Sequence, residues 1–263
     1  MRRGVLLYTV GRVLDLIWPG TIIPYYGAMF VGAALIFTLR TRWIALIGSV
    51  AALAGAGINT WLFRQAEDDK STDWLVHPGS DSVRGYVFDV FVNGTHPLLP
   101  WFAFLCAGIA LGRLLTHRHW RAAAVVTGVV LYTCATLIHS FASTPFQRFV
   151  LSTAAYSGGL VYVASALGTA LIAYGLIDWV AERYPGPTDP LRRAGQMTLT
   201  LYLCHVLVFN LVVDWLGWIE PAGLDIALTF AIGFWIVAIA AAATWQRRFG
   251  IGPAERFYRS FGG

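Results

Sequence analysis

Charged side chains are scarce in this chain. Asp, Glu, Lys and Arg make up 13% of the residues, whereas 57% are hydrophobic and the mean hydropathy is +0.62. A soluble domain needs a polar surface, and the longest polar segment, residues 64–96, does not provide a soluble domain of its own. The composition therefore indicates a membrane protein.

Cysteine and lysine are also rare. The three cysteines, Cys106, Cys134 and Cys204, lie in apolar stretches without paired spacing. Disulfide scaffolds and cysteine metal sites need paired spacings, so buried free thiols are favoured and no metal is expected. Because Lys70 is the single lysine, the net charge of +5 comes from arginine.

Eight apolar stretches make up most of the chain. A helix rises about 1.5 Å per residue and the hydrocarbon core is about 30 Å thick, so about 20 apolar residues suffice to cross it. In lipid every backbone amide must be bonded within the chain, which leaves helix as the spanning form. The sequence predicts an all-α, polytopic transmembrane bundle, with residues 1–263 as a single domain of about eight spans. The stretches are residues 4–18, 22–39, 43–63, 97–115, 120–142, 150–180, 194–216 and 223–246.

Arginines precede the first stretch and fall in every second gap after it, while most alternate gaps are poor in basic residues. The positive-inside rule therefore places both termini in the cytoplasm and makes the net acidic gap at about 64–96 the main outer loop. Within that loop, Val83–Val92 is predicted to form a short interfacial helix. Arginines beside anionic headgroups explain the net charge, so the expected partner is the lipid bilayer and not nucleic acid.

Two ionisable residues lie inside the first apolar stretch. Arg12 and Asp15 are three residues apart, so they share a helix face and can pair with each other. Ionisable groups at membrane depth are costly and often mark functional sites. The pair is either a self-neutralised structural pair near the outer end of the span or part of a substrate-binding site.

A polar stripe runs along the seventh stretch. Thr198, Tyr202 and His205 share a helix face, and Asn210 follows them more loosely. One interpretation is a histidine that is satisfied within the core. The other is a lined cavity in which His205 is catalytic and Thr198, Tyr202 and Asn210 contact the substrate.

His96 lies at the start of the fourth stretch, directly before Pro97, and the predicted topology places it at the outer membrane face. Histidine titrates near neutrality and can act as a general base toward a hydroxyl or amine. The alternative is a cap or an aromatic contact with Trp101.

Arg113 ends the same stretch, where small residues permit close helix packing. Its side chain is expected to reach the inner headgroups. The alternative is a basic inner pocket that binds the phosphate of an acyl-CoA.

Four segments resemble a known family. They are Ile22–Gly27, Asn93–Trp101 continuing to Gly112 and Arg113, Gly195–Tyr202, and the distinctive tail Arg247–Arg259. Their order and spacing resemble the YeiB-like family of bacterial membrane proteins, which looks related to the heparan-α-glucosaminide N-acetyltransferase type of transmembrane acyltransferase. The resemblance covers nearly the whole chain.

The resemblance implies transfer of an acyl group from cytoplasmic acyl-CoA to a glycan or glycolipid acceptor at the outer face of a bacterial inner (plasma) membrane. No bound cofactor is implied, since acyl-CoA is a substrate. His96 at the outer rim and His205 at mid-depth would suit the need for a base near the acceptor. One difference is that the chain starts after an early Asp-x-x-Arg-Gly-type span of the family, so no residue here inherits a histidine associated with that region.

Two other functions compete with acyl transfer. One is transport or handling of a small solute or lipid by the polar stripe, although no inverted repeat is evident. The other is a non-catalytic membrane subunit that stabilises a partner. Homo-oligomerisation is left open by the sequence.

Overall fold

The computed structural model describes residues 1–76, 82–220 and 222–261. All regular elements of these residues are helices, which confirms the predicted all-α class. By its internal contacts the chain falls into two compact units, residues 3–179 and residues 180–263. Part of the expected outer loop, residues 77–81 with Asp81, lies outside the described residues.

The first unit is formed by nine α-helices and the short 3₁₀ helix Ala155–Ser157 among the described residues. The α-helices are α1 (Arg2–Leu14), α2 (Ile23–Ile36), α3 (Thr41–Glu67), α4 (Asp73–Val76), α5 (Val83–Phe88, continued by the π-helical turn Asp89–Asn93), α6 (Leu98–Leu114), α7 (Trp120–Ser140), α8 (Pro145–Val150) and α9 (Leu160–Arg183).

The second unit contains the end of α9 and four further helices in its described part. They are α10 (Pro185–Gly195), α11 (Thr198–Phe209, continued by the π-helical segment Asn210–Trp215), α12 (Gly223–Phe249) and α13 (Pro253–Ser260).

Among the residues that the structure describes, five helices are long and apolar enough to cross a membrane, which indicates an integral membrane protein. They are α3, α7, α9, α11 with its extension, and α12, and the pair α5–α6 would form a sixth crossing with a bend of 57°. Each of the eight apolar stretches contains a helix, but α1 has 13 residues and α2 has 14, fewer than a perpendicular crossing needs. Eight crossings and cytoplasmic termini stay predictions.

Close backbone contact joins α1 to α2 at the start of the first unit. A Cβ atom on Gly11 would lie 2.5 Å from the backbone nitrogen of Pro24, so only glycine fits there. Pro24 is the second residue of α2, where its missing N–H needs no helical partner. The contact places the C-terminal end of α1 beside the N-terminal end of α2.

The apolar core of the first unit lies between α2, α3 and α6. Its buried side chains include Met29 of α2, Ile44 of α3, and Phe102 and Cys106 of α6. This packing positions the beginning of α6 and the turn that precedes it.

In the second unit, α10, α11 and α12 share a smaller core that includes Ala194, Met197, Leu201, Ala238 and Ala242.

Candidate functional site

A polar cluster in the first unit joins α2, the turn after α5 and the residues before α6. The hydroxyl of Tyr25 donates to Asp89 Oδ1 at 3.1 Å and accepts from the backbone N–H of Thr95 at 3.1 Å. Tyr25 is only 5% exposed. A buried hydroxyl needs partners, and this one uses both its donor and an acceptor position to connect two segments.

Arg12 adds a cation to this cluster from α1. Its Nη1 atom lies 3.3 Å from Asp15 Oδ2 and 3.5 Å from Asp89 Oδ2, and the guanidinium lies over the Tyr86 ring. The predicted pairing of Arg12 with Asp15 is therefore confirmed. Asp89 extends the pair to two carboxylates around one cation.

Gly94 allows the cluster to close. A Cβ atom at this position would lie 2.3 Å from the Tyr25 hydroxyl and 2.3 Å from the Asp89 carbonyl oxygen. Real Cβ contacts are never this short, so any side chain would displace the tyrosine or the turn. The glycine lets the backbone just before His96 approach Tyr25.

His96 follows in the short break between α5 with its π turn and α6. Its ring lies 5.0 Å from the Trp101 ring and 6.0 Å from the Tyr25 ring, so the aromatic contact with Trp101 is present. His96 Nδ1 and Asn93 Oδ1 are buried and have no hydrogen-bond partner among the described residues. A buried polar atom without a partner costs about 1–3 kcal/mol and therefore needs an explanation, of which a catalytic role is one.

In the second unit, Thr198, Tyr202 and His205 line one cavity of about 360 Å³, which confirms that they share a helix face and agrees with the second of the two interpretations. His205 Nδ1 lies 2.6 Å from the Tyr202 carbonyl oxygen. A carbonyl only accepts, so Nδ1 carries the hydrogen and Nε2 is left as an acceptor in the neutral ring. His205 is thus both bonded within its helix and part of a cavity wall.

Asn210 does not share this cavity. Its lining, within the described chain, contains no residue of α11 beyond His205. Asn210 is 5% exposed and donates through Nδ2 to the Val206 carbonyl oxygen at 2.9 Å. The loose alignment with Tyr202 fails because α11 is regular up to Phe209, and eight residues of α-helix rotate Asn210 by about 80° from Tyr202.

Arg113 has a helix-capping role that the sequence did not indicate. Its guanidinium donates to the Leu39 carbonyl oxygen at 2.8 Å, to Thr41 Oγ1 at 3.0 Å and to the Phe37 carbonyl oxygen. These groups lie at the C-terminal end of α2 and the start of α3, where carbonyl groups lack helical partners. An acyl-CoA phosphate site at Arg113 stays a prediction.

The two catalytic candidates belong to different compact units, His96 to the first and His205 to the second. Within the first unit the structure brings Arg12, Asp15 and His96 into one neighbourhood through Tyr25 and Asp89. Sequence reasoning missed these two connecting residues. Asp89 lies in the net acidic gap at about 64–96 and on the predicted helix Val83–Val92. Its position seven residues before His96 was an available signal.

The helices and the partly buried polar cluster define an all-α integral membrane protein with ionisable groups between its helices. A family model described as "Protein of unknown function (DUF418)" matches residues 109–262, more than half of the 263-residue chain, and the chain belongs to this family. No curated protein and no solved structure matches the chain. The matched segment includes the His205 cavity but begins after Arg12, Tyr25, Asp89 and His96.

Proposed function

We propose that this protein is a transmembrane acyltransferase that transfers an acyl group from acyl-CoA to a glycan or lipid of the cell envelope, with His96 as the general base. The observation that carries the proposal is the buried His96 Nδ1 atom, which has no partner among the described residues. A hydroxyl or amine of an acceptor would supply the missing hydrogen bond and place its proton beside a base. The resemblance to YeiB-like proteins supports the same reaction class.

The proposed reaction is an acyl transfer without a metal or redox step. His96 takes the proton of the acceptor hydroxyl or amine as the acceptor atom attacks the thioester carbonyl carbon. The new carbon–oxygen or carbon–nitrogen bond forms, the carbon–sulfur bond breaks, and the electron pair leaves with the CoA thiolate. The proton held by the histidine is then passed to the thiolate, so the products are the acylated acceptor and free CoA.

Tyr25, Asp89 and Arg12 are assigned a positioning role in this proposal. The Tyr25 hydroxyl accepts a hydrogen bond from the backbone N–H of Thr95, one residue before His96, and donates one to Asp89 Oδ1. Arg12 neutralises part of the carboxylate charge that would otherwise lie near the turn. These contacts fix the backbone that carries the base, as a catalytic group requires.

The test uses membranes that contain the full chain, radiolabelled acetyl-CoA as the donor and envelope glycolipids as the acceptor mixture. Wild-type protein is expected to transfer label to the glycolipid fraction, and His96→Ala is expected to lower the rate about 10²–10⁴-fold. His139→Ala is the matched control, because His139 Nδ1 bonds to the Leu151 carbonyl oxygen. Equal rates in wild type and His96→Ala would reject the proposal.

The cavity lined by Thr198, Tyr202 and His205 favours a second candidate function, the handling of a small solute or lipid. Its polar residues are the stripe Thr198, Tyr202 and His205, and its volume of about 360 Å³ is within the range of ligand sites. Uptake or export that depends on His205 and not on His96 would favour this function over acyl transfer.

A further inference from the structure

The cavity lined by Thr198, Tyr202 and His205, one of at least two along α11 in the described part of the second unit, is a mostly apolar space between α10, α11 and α12. Its lining is Leu191, Ala194, Gly195, Thr198, Leu201, Tyr202, His205, Trp235 and Ile239. Thr198 and His205 are seven residues apart on α11, so the cavity extends about 10 Å along that helix. Most of its wall is hydrocarbon or aromatic, which suits a chain of methylene groups better than a polar solute.

A cluster of positive charge lies on α10 and α12, two of the helices that line this cavity. Three guanidinium groups surround the carboxylate of Asp189: Arg192 at 2.7 Å, Arg193 on the other oxygen, and Arg247 at 4.0 Å. Within the described part of the chain, Asp189 is the one carboxylate that these three arginines contact. Three cations against one anion leave a local excess of positive charge.

Two of these arginines are accessible to a ligand. The side chains of Arg192 and Arg247 are each 67% exposed, whereas Arg193 is 24% exposed and also donates to Gln246. An exposed guanidinium with part of its donors unused is well suited to bind a phosphate group in a bidentate manner.

The charge and the cavity are adjacent along two helices. On α10, Arg193 precedes the lining residue Ala194 and donates to Gln246 of α12, which directly precedes Arg247. On α12, Ile239 lines the cavity and Arg247 lies eight residues further on, about 12 Å along the helix axis. A ligand with an anionic head and an apolar chain would satisfy both features at once.

We propose that this site binds one anionic phospholipid, with its phosphate at Arg192 and Arg247 and one acyl chain in the cavity between α10, α11 and α12. The excess of positive charge favours an anionic headgroup, and the apolar wall of the cavity favours an acyl chain. Basic pockets between membrane helices bind anionic lipid headgroups for this reason. This site is independent of the acyl-transfer proposal, because it uses no residue of the His96 cluster.

The headgroup part is tested by native mass spectrometry of the purified full chain with phosphatidylglycerol and phosphatidylcholine of identical acyl chains. Wild type is expected to prefer phosphatidylglycerol, and Arg192→Gln and Arg247→Gln are each expected to lower that preference about fivefold. Arg248→Gln is the matched control, since it removes the same charge from the neighbouring position, where the guanidinium lies over Phe249. No preference in wild type, or an equal loss in Arg248→Gln, would overturn the proposal.

The chain part is tested by filling the cavity. Gly195 lines the cavity, and a Cβ atom there would meet nothing within 4 Å, so Gly195→Phe adds a side chain without a backbone clash. The control is Gly233→Phe, whose Cβ is equally unobstructed but which lies in a different groove of α11 and α12. Gly195→Leu serves as the milder variant if the phenylalanine prevents folding.

Gly195→Phe is expected to weaken phosphatidylglycerol binding at least as strongly as Arg247→Gln, and Gly233→Phe is expected to leave it unchanged. Inorganic phosphate is the competitor that separates the two sources of the anion. If phosphate alone displaces the lipid completely and Gly195→Phe and Gly195→Leu bind like wild type, the site holds a phosphate only and the lipid proposal is wrong.

Discussion

Tyr25 and Asp89 are 64 residues apart in the sequence and are joined by a hydrogen bond of 3.1 Å from the tyrosine hydroxyl to the carboxylate. The same hydroxyl accepts the backbone N–H of Thr95. One phenol therefore holds together α2, the π turn after α5 and the turn that carries His96. The function proposed for His96 depends on this link.

Tyr25→Phe removes the hydroxyl and keeps the ring. The Thr95 amide and one Asp89 oxygen then lose their partner, so we expect the free energy of unfolding to fall by about 2 kcal/mol. Thermal unfolding in detergent, followed by tryptophan fluorescence, measures the change. Tyr132→Phe on the exposed surface of α7 is the control and should unfold like wild type. Equal stability of the two variants would show that the link contributes nothing.

Gly94→Ala tests the close approach of the backbone to Tyr25. The added methyl group would lie 2.3 Å from the tyrosine hydroxyl, so the turn must move and we expect destabilisation of about 1–3 kcal/mol. Gly108→Ala in α6 is the matched control, because its Cβ would meet nothing within 4 Å and alanine favours helix. The expected order of unfolding temperatures is Gly108→Ala at or above wild type and Gly94→Ala below it. The reverse order would contradict the geometry.

A reciprocal contact joins α13 to the beginning of α11. Glu255 Oε1 accepts the Thr200 backbone N–H at 3.0 Å, Oε2 accepts the Thr200 hydroxyl, and that hydroxyl accepts the Ala254 backbone N–H at 3.1 Å. The carboxylate thus satisfies an N–H of the first turn of α11, which has no helical partner. The distinctive tail of the sequence has a structural role in holding this helix end.

Thr200→Val keeps the shape of the side chain and removes the hydroxyl. We expect faster amide hydrogen exchange in α13, because fewer contacts then hold this short helix. Thr244→Val is the control, since the Thr244 hydroxyl donates to the Ala240 carbonyl oxygen of its own helix. Mass spectrometry of exchanged peptides from Pro253–Ser260 measures the effect. Unchanged protection in Thr200→Val would mean that α13 is held by its apolar contacts instead.

Acid should weaken the contacts of Asp189 on α10. Hydrogen bonds from Arg192 and Arg193 hold the pKa of this carboxyl below its usual value of 3.8. Its contribution to stability is therefore present above pH 3.8 and is lost as the pH falls through the lower, folded-state pKa. The unfolding temperature of wild type should decline over this acidic range, and Asp189→Asn should show a shallower decline. Parallel curves for the two proteins would show that this carboxyl is not linked to folding.

The helical class could be predicted because it follows from local properties of the sequence. Runs of apolar residues must form helices in lipid, and each predicted stretch contains one. Helix length was less predictable: α1 and α2 end before a full crossing, and α6 meets the preceding helix at a bend of 57°. Hydropathy also does not record tertiary contacts such as the close approach of Gly11 to Pro24.

The candidate site was predictable where its residues are neighbours on one helix. The pairing of Arg12 with Asp15 and the shared face of Thr198, Tyr202 and His205 follow from helical spacing. The contacts of Asp89 with Arg12 and Tyr25 bridge 77 and 64 residues, and no periodicity predicts such distances. The contacts of Arg113 also bridge more than 70 residues. The sequence therefore predicted a contact with lipid headgroups, whereas the side chain donates to carbonyl groups at the end of α2.

The most direct test of acyl transfer across the membrane uses sealed vesicles with the protein in one known orientation. Labelled acetyl-CoA is supplied on the cytoplasmic face and a membrane-impermeant glycan acceptor on the opposite face. Wild type is expected to label the acceptor across the bilayer, and His96→Ala, folded with an unchanged unfolding temperature, is expected to fail. Label that appears only when donor and acceptor share one face, or transfer by His96→Ala at the wild-type rate, would contradict the proposal.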